Sequence, residues 1–270
     1  MNHFAIYPEL QQAAQQWDYL PNANVLSGKN ILVTGAGAGI GECLAKTYAL
    51  LGANVILLGR TRQKLETVFD WIETHTQTQA VIVPCDLAEL SQDSVATLAG
   101  SIDEAYGSLH GLVHNASLLG PQVPLQHYSA EEWPRVFAVN VHAPFLLNQG
   151  LQDLLSASGD ARVIHVSSSV GREGRAYWGA YSASKFALEG LSQIFGDETE
   201  NAGVIKVYSV NPGATRTQMR ATAYPAEDPN SVPPAEQHMQ LFAFLQAIDG
   251  KVLPPTKSQL DARTWVYQSD

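Results

Sequence analysis

The sequence predicts an α/β fold built on a doubly wound parallel sheet, and three observations support this prediction. From residue 29 onward, short apolar runs alternate with segments long enough for crossover helices. Most of these runs are nearly continuous in Val, Ile and Leu, as expected for strands that are buried on both faces. No linker or break in composition divides the chain before about residue 220. Repeated βα units of this length imply a sheet with helices on both faces.

These patterns place each element along the chain. Ile40, Leu44, Tyr48 and Leu51 form one apolar helical stripe, and Gly52 follows where a left-handed residue would end the helix. Residues 1–28 are predicted to be a polar extension with a surface helix near 11–16, in front of a single domain at 29–270. The predicted strands lie at residues 31–35, 55–59, 80–84, 111–115, 162–166 and 204–210, with a last strand near 264–267.

Composition and charge exclude several classes of function. The net charge of −10 argues against a nucleic-acid partner, because there is no excess of Lys and Arg to neutralise phosphates. Cys43 and Cys85 do not have the spacing of metal ligands, so no metal site is expected. No signal peptide is visible at the first residues, and no apolar run reaches the roughly 18 residues that span a bilayer. We therefore expect no membrane association and a cytoplasmic location.

A glycine-rich segment from Thr34 to Gly41 follows the first predicted strand and opens the first helix, which is the context that dinucleotide binding requires. Glycines there let the backbone approach a pyrophosphate, whose charge is stabilised at the helix N-terminus. The alternative is a glycine-rich turn that binds nothing. The candidate contacts are Gly35, Ala36, Gly37, Ala38, Gly39, Ile40 and Gly41.

The end of the second strand indicates which nucleotide is preferred. An NAD site needs a carboxylate there for the ribose 2′-hydroxyl, but this chain has Gly59 followed by Arg60. A guanidinium can bind a 2′-phosphate with two hydrogen bonds. The sequence therefore favours NADP(H) without excluding NAD(H). Ala38 adds no positive charge, and the alternative is that Arg60 is a solvated loop residue.

Tyr181 and Lys185 are four residues apart, so on a helix they project from one face. A nearby ammonium favours the phenolate, and we therefore expect a lowered pKa for Tyr181. Such a phenol can exchange a proton with a substrate oxygen. Ser168 lies thirteen residues upstream at the end of the fifth strand, while Ser167 and Ser169 are expected to bond local backbone groups.

Asn140 lies in a helix that a Ser129–Glu132 capping box is expected to start. Pro144 follows four residues after Asn140 and has no N–H, so the Asn140 carbonyl loses its helical partner. A freed carbonyl can hold a water molecule. The alternative is an ordinary proline kink.

The T-G-x-x-x-G-x-G segment, Ser168 and the Tyr-x-x-x-Lys pattern together resemble the short-chain dehydrogenase/reductase family over about residues 29–220. The resemblance implies a Rossmann-type sheet of order 3-2-1-4-5-6-7 with three helices on each face. It implies the catalytic set Asn140, Ser168, Tyr181 and Lys185. Further implied cofactor contacts are Asp86, Leu87, Asn115, Tyr181, Lys185, Pro212, Gly213, Thr215 and Thr217. The family's usual Asn-Asn-Ala-Gly is changed here, because His114 replaces the first Asn and Ser117 replaces the Gly. For His114 we expect packing within the sheet rather than catalysis.

The residues around Ser168 and after Asn211 are similar to a bacterial subgroup labelled YciK-type, whose members are known as oxidoreductases. This similarity gives no substrate. The predicted proton and hydride chemistry makes a carbonyl compound or alcohol the expected substrate, and the family resemblance implies a homodimer or homotetramer. Apolar candidates for the substrate pocket are Leu118, Leu119, Trp178, Met219 and Tyr224. The Pro-rich segment at 217–235 is predicted to close over the substrate. The alternatives are a nucleotide-binding sensor without turnover and a dehydratase or epimerase on the same fold.

Overall fold

A computed structural model describes residues 3–247 and 251–267 of the chain. It contains a seven-stranded sheet of order β3-β2-β1-β4-β5-β6-β7, which confirms the predicted fold class and strand order. The pairs β1–β2, β2–β3, β4–β5 and β5–β6 are all parallel. The strands are β1 Asn30–Thr34, β2 Asn54–Gly59, β3 Ala80–Pro84, β4 Gly111–His114, β5 Ala161–Val166, β6 Ile205–Asn211 and β7 Gln259–Asp261. The first six agree with the predicted runs to within one residue at each end.

The predicted position of the last strand is wrong. Residues 264–267 are not a strand, because Trp265 and Tyr267 pack against Phe244 with ring centroids 4.9 and 5.7 Å away. Tyr19 joins the same cluster, 5.3 Å from Tyr267. Aromatic and β-branched residues are common in strands because strands give their side chains neighbours to pack against. Here the aromatic cluster provides those neighbours without a strand.

The helices fill the intervals between the strands. In the second helix Leu44 and Tyr48 are fully buried, as the predicted stripe requires, and Gly52 follows with φ +100°. The helices are α1 Pro8–Ala14, α2 Gly39–Leu50, α3 Arg62–His75, α4 Gln92–Tyr106, α5 Glu132–Phe137, α6 Ala143–Ala157, α7 Gly179–Glu200, α8 Gln218–Ala223 and α9 Met239–Gln246. Within the described ranges no helix is long and apolar enough to cross a membrane.

The chain divides into two units. The first comprises residues up to Pro84, Pro212–Pro254 and residues from Leu260 onward, with β1–β3 in its core. The N-terminal segment is packed within this unit, since Phe4 and Leu10 are fully buried and the Tyr7 hydroxyl donates to Glu236 Oε1 at 2.5 Å. The predicted surface helix in this segment is α1, although it begins at Pro8 rather than near residue 11.

The segment at 217–235 also belongs to the first unit and is held by its own polar contacts. Arg220 in α8 forms two hydrogen bonds with the Glu227 carboxylate, at 2.7 and 2.6 Å. Arg216 Nε donates to the Pro229 carbonyl at 2.8 Å. Its closure over a substrate stays a prediction.

The second unit comprises Cys85–Asn211 and Pro255–Gln259 and contains β4–β6 with α4–α7. A Ser91–Ser94 capping box starts α4, and Gly107 with φ +67° ends it. Helix α7 packs on β5 and β6, and His114 of β4 pairs in register with His165 of β5. This packing places the start of α7 beside the end of β5.

Candidate functional site

The glycine loop of the first unit has the backbone conformation that its sequence predicts. Gly35 and Gly39 have φ of +67° and +58°, values that favour glycine. A Cβ on Gly37 would lie 2.9 Å from Lys64 Cβ, so the loop approaches α3 too closely for a side chain. A Cβ on Gly39 would lie 3.2 Å from Thr217 Cγ2. The twelve-residue helix α2 then starts at Gly39 without a side-chain cap, which leaves its first N–H groups available to an anion.

Arg60 is the first residue after β2 and is exposed. Its neighbour Arg62 pairs with Glu66 at 3.4 Å, whereas no carboxylate in the described part of the chain pairs with Arg60. The guanidinium of Arg60 is thus available to an external anion.

Thr215 and Thr217 serve local structure in the first unit. The Thr217 side chain accepts from the Arg220 N–H at 3.2 Å and so caps α8. Thr215 donates to the Gly213 carbonyl at 3.2 Å, and Gly213 has φ +73°. Pro212 precedes that glycine. The Pro-Gly element is therefore a fixed turn between β6 and α8.

Besides Tyr181 and Lys185, three of the predicted cofactor contacts lie in the second unit, at or near the ends of strands. Asp86 Oδ1 accepts from the Ala88 N–H at 3.0 Å and caps a short 3₁₀ turn, in which Leu87 is buried. Asn115 directly follows β4, and its N–H donates to the Val113 carbonyl at 3.1 Å.

Ser168, Tyr181 and Lys185 come together in the second unit, where β5 ends and α7 begins. The Ser168 hydroxyl is in hydrogen-bond contact with the Tyr181 phenol. Lys185 Nζ lies 5.6 Å from the centroid of the Tyr181 ring and donates to the Val166 carbonyl at 2.8 Å. Ser168 is partly exposed, while Tyr181 and Lys185 are 8 % and 2 % exposed. The hydroxyl, the phenol and the ammonium thus form one cluster.

The pKa of the phenol differs from the prediction. Burial raises the pKa of Tyr181 to about 12, and the hydrogen bond from Ser168 opposes this rise. Burial lowers the pKa of Lys185 to about 8. The expectation of a lowered phenol pKa is therefore wrong, because desolvation exceeds any effect of the neighbouring ammonium. At neutral pH the phenol is protonated, which is the form that donates a proton.

Asn140 lies in a π-helical turn, Ala138–His142, between α5 and α6. The Ala143 N–H reaches back to the Ala138 carbonyl, and Pro144 cannot donate to Asn140. The predicted Ser129–Glu132 capping box is wrong, because α5 begins at Glu132 without a side-chain cap. Ser129 Oγ does accept from the Glu132 N–H at 3.4 Å, but the Glu132 carboxylate pairs with Arg135 instead of reaching back to Ser129. The helix does continue through Asn140, although as a π turn rather than a regular helix.

The side chain of Asn140 is fully engaged. Its Oδ1 accepts from the Leu118 N–H at 2.8 Å, and its Nδ2 donates to the Leu118 carbonyl and to Ser184 Oγ, each at 2.9 Å. Ser184 in turn donates to the Tyr181 carbonyl at 2.8 Å. Sequence reasoning missed Ser184, although its place one residue before Lys185 was a possible signal. Asn140 is thereby connected to the helix that carries Tyr181.

Two further expectations concern buried polar residues at the ends of β4 and β5. His114 packs within the sheet as predicted, stacked on His165 with ring centroids 4.7 Å apart. Its Nε2 bonds Asn148 Oδ1 at 2.8 Å. The expectation for Ser167 is wrong, since its buried Oγ has no hydrogen-bond partner in the part of the chain that the structure describes.

The predicted pocket residues are half-buried in their own units. In the second unit Leu118 and Leu119 follow β4, and the Trp178 ring lies 5.7 Å from the Tyr181 ring. In the first unit Met219 lies on α8, and the Tyr224 ring is covered by the Arg220 guanidinium at 3.6 Å. Trp178 is thus the predicted pocket residue that the described contacts place beside the phenol.

Comparisons with known proteins give the family. The family model described as short chain dehydrogenase matches residues 29–228. The uncharacterized oxidoreductase YciK of Escherichia coli K12 is 43 % identical over 233 residues, which cover 86 % of this chain and 92 % of that protein.

Solved structures agree with this match. A short chain dehydrogenase from Shigella flexneri 2a, in a crystal structure complexed with NADP, is 41 % identical with a TM-score of 0.86, over 90 % of this chain and 100 % of that chain. One from Escherichia coli CFT073, complexed with NADPH, is 42 % identical with a TM-score of 0.86 and the same coverage. The chain therefore belongs to the short chain dehydrogenase/reductase family of oxidoreductases.

Proposed function

We propose that the protein transfers a hydride between NADP(H) and a carbonyl or alcohol substrate, with Tyr181 as the general acid and base. The observation that carries the proposal is the contact of Ser168 with the Tyr181 phenol, with the Lys185 ammonium 5.6 Å from the same ring. A protonated phenol beside a partly exposed hydroxyl can bind and protonate a carbonyl oxygen.

The residues of the glycine loop fit a dinucleotide. Two glycines with positive φ and a third that approaches α3 closely form a backbone cradle that side chains would fill. The free N-terminus of α2 and the unpaired Arg60 provide two sites for phosphate groups. The NADP and NADPH complexes of the two relatives support the same choice of nucleotide. We propose as nucleotide contacts residues 35–41, Arg60, Asp86, Leu87, Asn115, Tyr181, Lys185, Pro212, Gly213, Thr215 and Thr217.

In the proposed reduction, NADPH when bound supplies the hydride. Ser168 hydrogen-bonds the carbonyl oxygen and orients it toward the phenol. Tyr181 donates its proton to that oxygen, and in the reverse direction takes the proton back. Lys185 holds the nicotinamide ribose and stabilises the phenolate that forms. Asn140 fixes Leu118 and, through Ser184, the first turns of α7, so the phenol keeps its position.

The proposed substrate pocket is apolar, formed by Leu118, Leu119, Trp178, Met219 and Tyr224. This favours hydrophobic carbonyl compounds. We also propose a homodimer or homotetramer, since Phe145 of α6 and Phe186 of α7 leave 44 % and 45 % of their surface exposed. Leu188 and Phe195 of α7, by contrast, are buried in the core.

A turnover screen tests the proposal. Aldehydes and ketones of increasing apolar size are incubated with NADPH, and the loss of its absorbance is followed. Turnover of at least one carbonyl compound is expected. If none is turned over while NADPH binds tightly, the sensor alternative is favoured. A product formed without net loss of NADPH would favour a dehydratase or epimerase.

Arg60→Ala is expected to remove most of the preference for NADPH over NADH. A hydrogen bond to a charged group contributes about 1.5–3 kcal/mol, so the preference should be roughly ten- to a hundredfold in the unmodified protein. Calorimetric titration with both nucleotides measures it. Arg62→Ala is the matched control, because Arg62 is paired with Glu66 and should leave the preference unchanged. Equal affinities of the unmodified protein for both nucleotides would contradict the assignment.

A further inference from the structure

Lys185 keeps a buried ammonium group, and a buried charge requires a compensating charge nearby. The side chain is 2 % exposed, and its Nζ bonds the Val166 carbonyl, which is neutral. Burial lowers the pKa of Lys185, and the resulting value of about 8 is the net of burial and one opposing nearby charge. Some other group must therefore stabilise the charged form.

Three titratable groups near Lys185, one each on α7, β4 and β5, carry no negative charge at neutral pH. Tyr181, one turn earlier on α7, is protonated. His114 of β4 and His165 of β5 are both buried, and burial lowers the pKa of each imidazole below its usual value, to about 4 for His114. The charge of Lys185 lowers both further. Neither the phenol nor the two neutral rings can compensate the ammonium.

Glu189 can supply that charge. It follows Lys185 by four residues on α7, so both side chains project from the same face, and it is only 4 % exposed. Within the described ranges it is the carboxylate that raises the pKa of Lys185, against the effect of burial.

A short turn after β5 holds Glu189 in place. Arg172 Nε donates to Glu189 Oε1 at 3.0 Å, and Arg172 Nη2 donates to Ser209 Oγ at 3.3 Å. The preceding residue, Gly171, packs directly on α7, where a Cβ would lie only 2.7 Å from Lys185 Cβ. Glu189 Oε2 is buried and accepts no hydrogen bond from the residues that the structure describes. One oxygen is thus fixed by Arg172, and the other has no donor of its own.

We propose that Glu189, held by Arg172, is a positioning residue that keeps Lys185 charged and in place for its role in the proposed reaction. The inference rests on the proposed function for the importance of Lys185, but not for its electrostatics. Removing the carboxylate charge leaves burial and the Arg172 cation unopposed, so the ammonium should lose its proton at lower pH. Removing the Arg172 charge should have the opposite effect, because the carboxylate is then less neutralised.

Titration of the Lys185 side chain tests both predicted shifts of its pKa. The 13Cε–15Nζ correlation of Lys185 is identified by its loss in Lys185→Ala and followed against pH. Glu189→Gln should lower the midpoint by about one to three pH units, the usual effect of a close opposite charge. Arg172→Gln should raise it. Glu173→Gln, which removes an exposed carboxylate next to Arg172, should leave it unchanged.

Glu189→Gln and Arg172→Gln are expected to shift the Lys185 midpoint in opposite directions. A general structural disturbance would not produce that pattern. An unchanged midpoint in Glu189→Gln, or a shift in the same direction in both variants, would overturn the inference. If Glu189→Gln does not fold, Arg172→Gln alone decides, and a fall of the midpoint there overturns the inference. Turnover of Lys185→Ala is measured separately. Wild-type turnover in that variant would contradict the proposed function while the titration result stands.

Discussion

Tyr181→Phe is expected to lower turnover by about 10²–10⁴-fold, the usual contribution of general acid–base catalysis, and to leave NADPH affinity unchanged. The substitution removes one oxygen and keeps the ring, so the packing beside Trp178 and the ring's part in the proposed nucleotide contact should survive. What is lost is the proton donor that the Ser168 contact orients. Steady-state turnover on a substrate from the screen, with calorimetric titration of NADPH, measures both effects.

Two further variants test whether the loss of turnover comes from the Tyr181 phenol itself. Lys185→Ala should lose turnover and also bind NADPH more weakly, since it removes both the charge beside the phenol and a donor to the ribose. Tyr177→Phe alters an exposed tyrosine four residues before Tyr181 and should change neither quantity. Wild-type turnover in Tyr181→Phe would show that the proposed chemistry is wrong.

Gly171→Ala is expected to destabilise the protein by about 1–3 kcal/mol, the usual cost of overpacking. The added methyl group would lie 2.7 Å from Lys185 Cβ and 3.0 Å from the Lys185 carbonyl carbon. The second of these is backbone of α7 and cannot rotate away, so the turn and the helix must separate. Urea denaturation followed by circular dichroism measures the change in free energy of unfolding.

Gly174→Ala is the matched control for this substitution. It lies three residues later in the same loop, and a Cβ there would meet nothing within 4 Å. Its stability should stay close to that of the unmodified protein. If both variants were equally stable, the close packing of Gly171 on α7 would not matter energetically.

Most of the sheet could be predicted because its signal is local. Strands β1, β2, β4, β5 and β6 are buried along most of their length, and a continuous run of Val, Ile and Leu indicates such burial directly. The last strand could not be predicted in the same way. A run such as Trp265–Tyr267 has the same local pattern whether it pairs in a sheet or packs on Phe244 and Tyr19, which are distant in sequence.

In the candidate site, too, local spacing could be predicted from the sequence, whereas features that depend on tertiary packing could not. Spacing alone predicted that Lys185 would lie beside Tyr181 and that Pro144 would disturb the helix at Asn140. The pKa of Tyr181 could not be predicted from spacing, because burial dominates it and burial depends on tertiary packing. The bonds from Asn140 to Leu118 and Ser184 also depend on how two helices and a strand end meet. The catalytic roles of Asn140, Ser168, Tyr181 and Lys185 stay predictions, and the variants described above test those of Tyr181 and Lys185.

The amide of Asn148 determines the tautomers of both buried histidines. Its Oδ1 accepts, so His114 must carry a proton on Nε2, while its Nδ2 donates at 3.2 Å, so His165 must have a bare Nε2. As neutral rings, His114 then has a bare Nδ1 and His165 a protonated one. The two hydrogen bonds therefore point in one direction, from His114 to Asn148 and from Asn148 to His165. Rotation of the Asn148 amide by 180° would exchange the tautomers of both rings together, so neither histidine can change its protonated nitrogen alone.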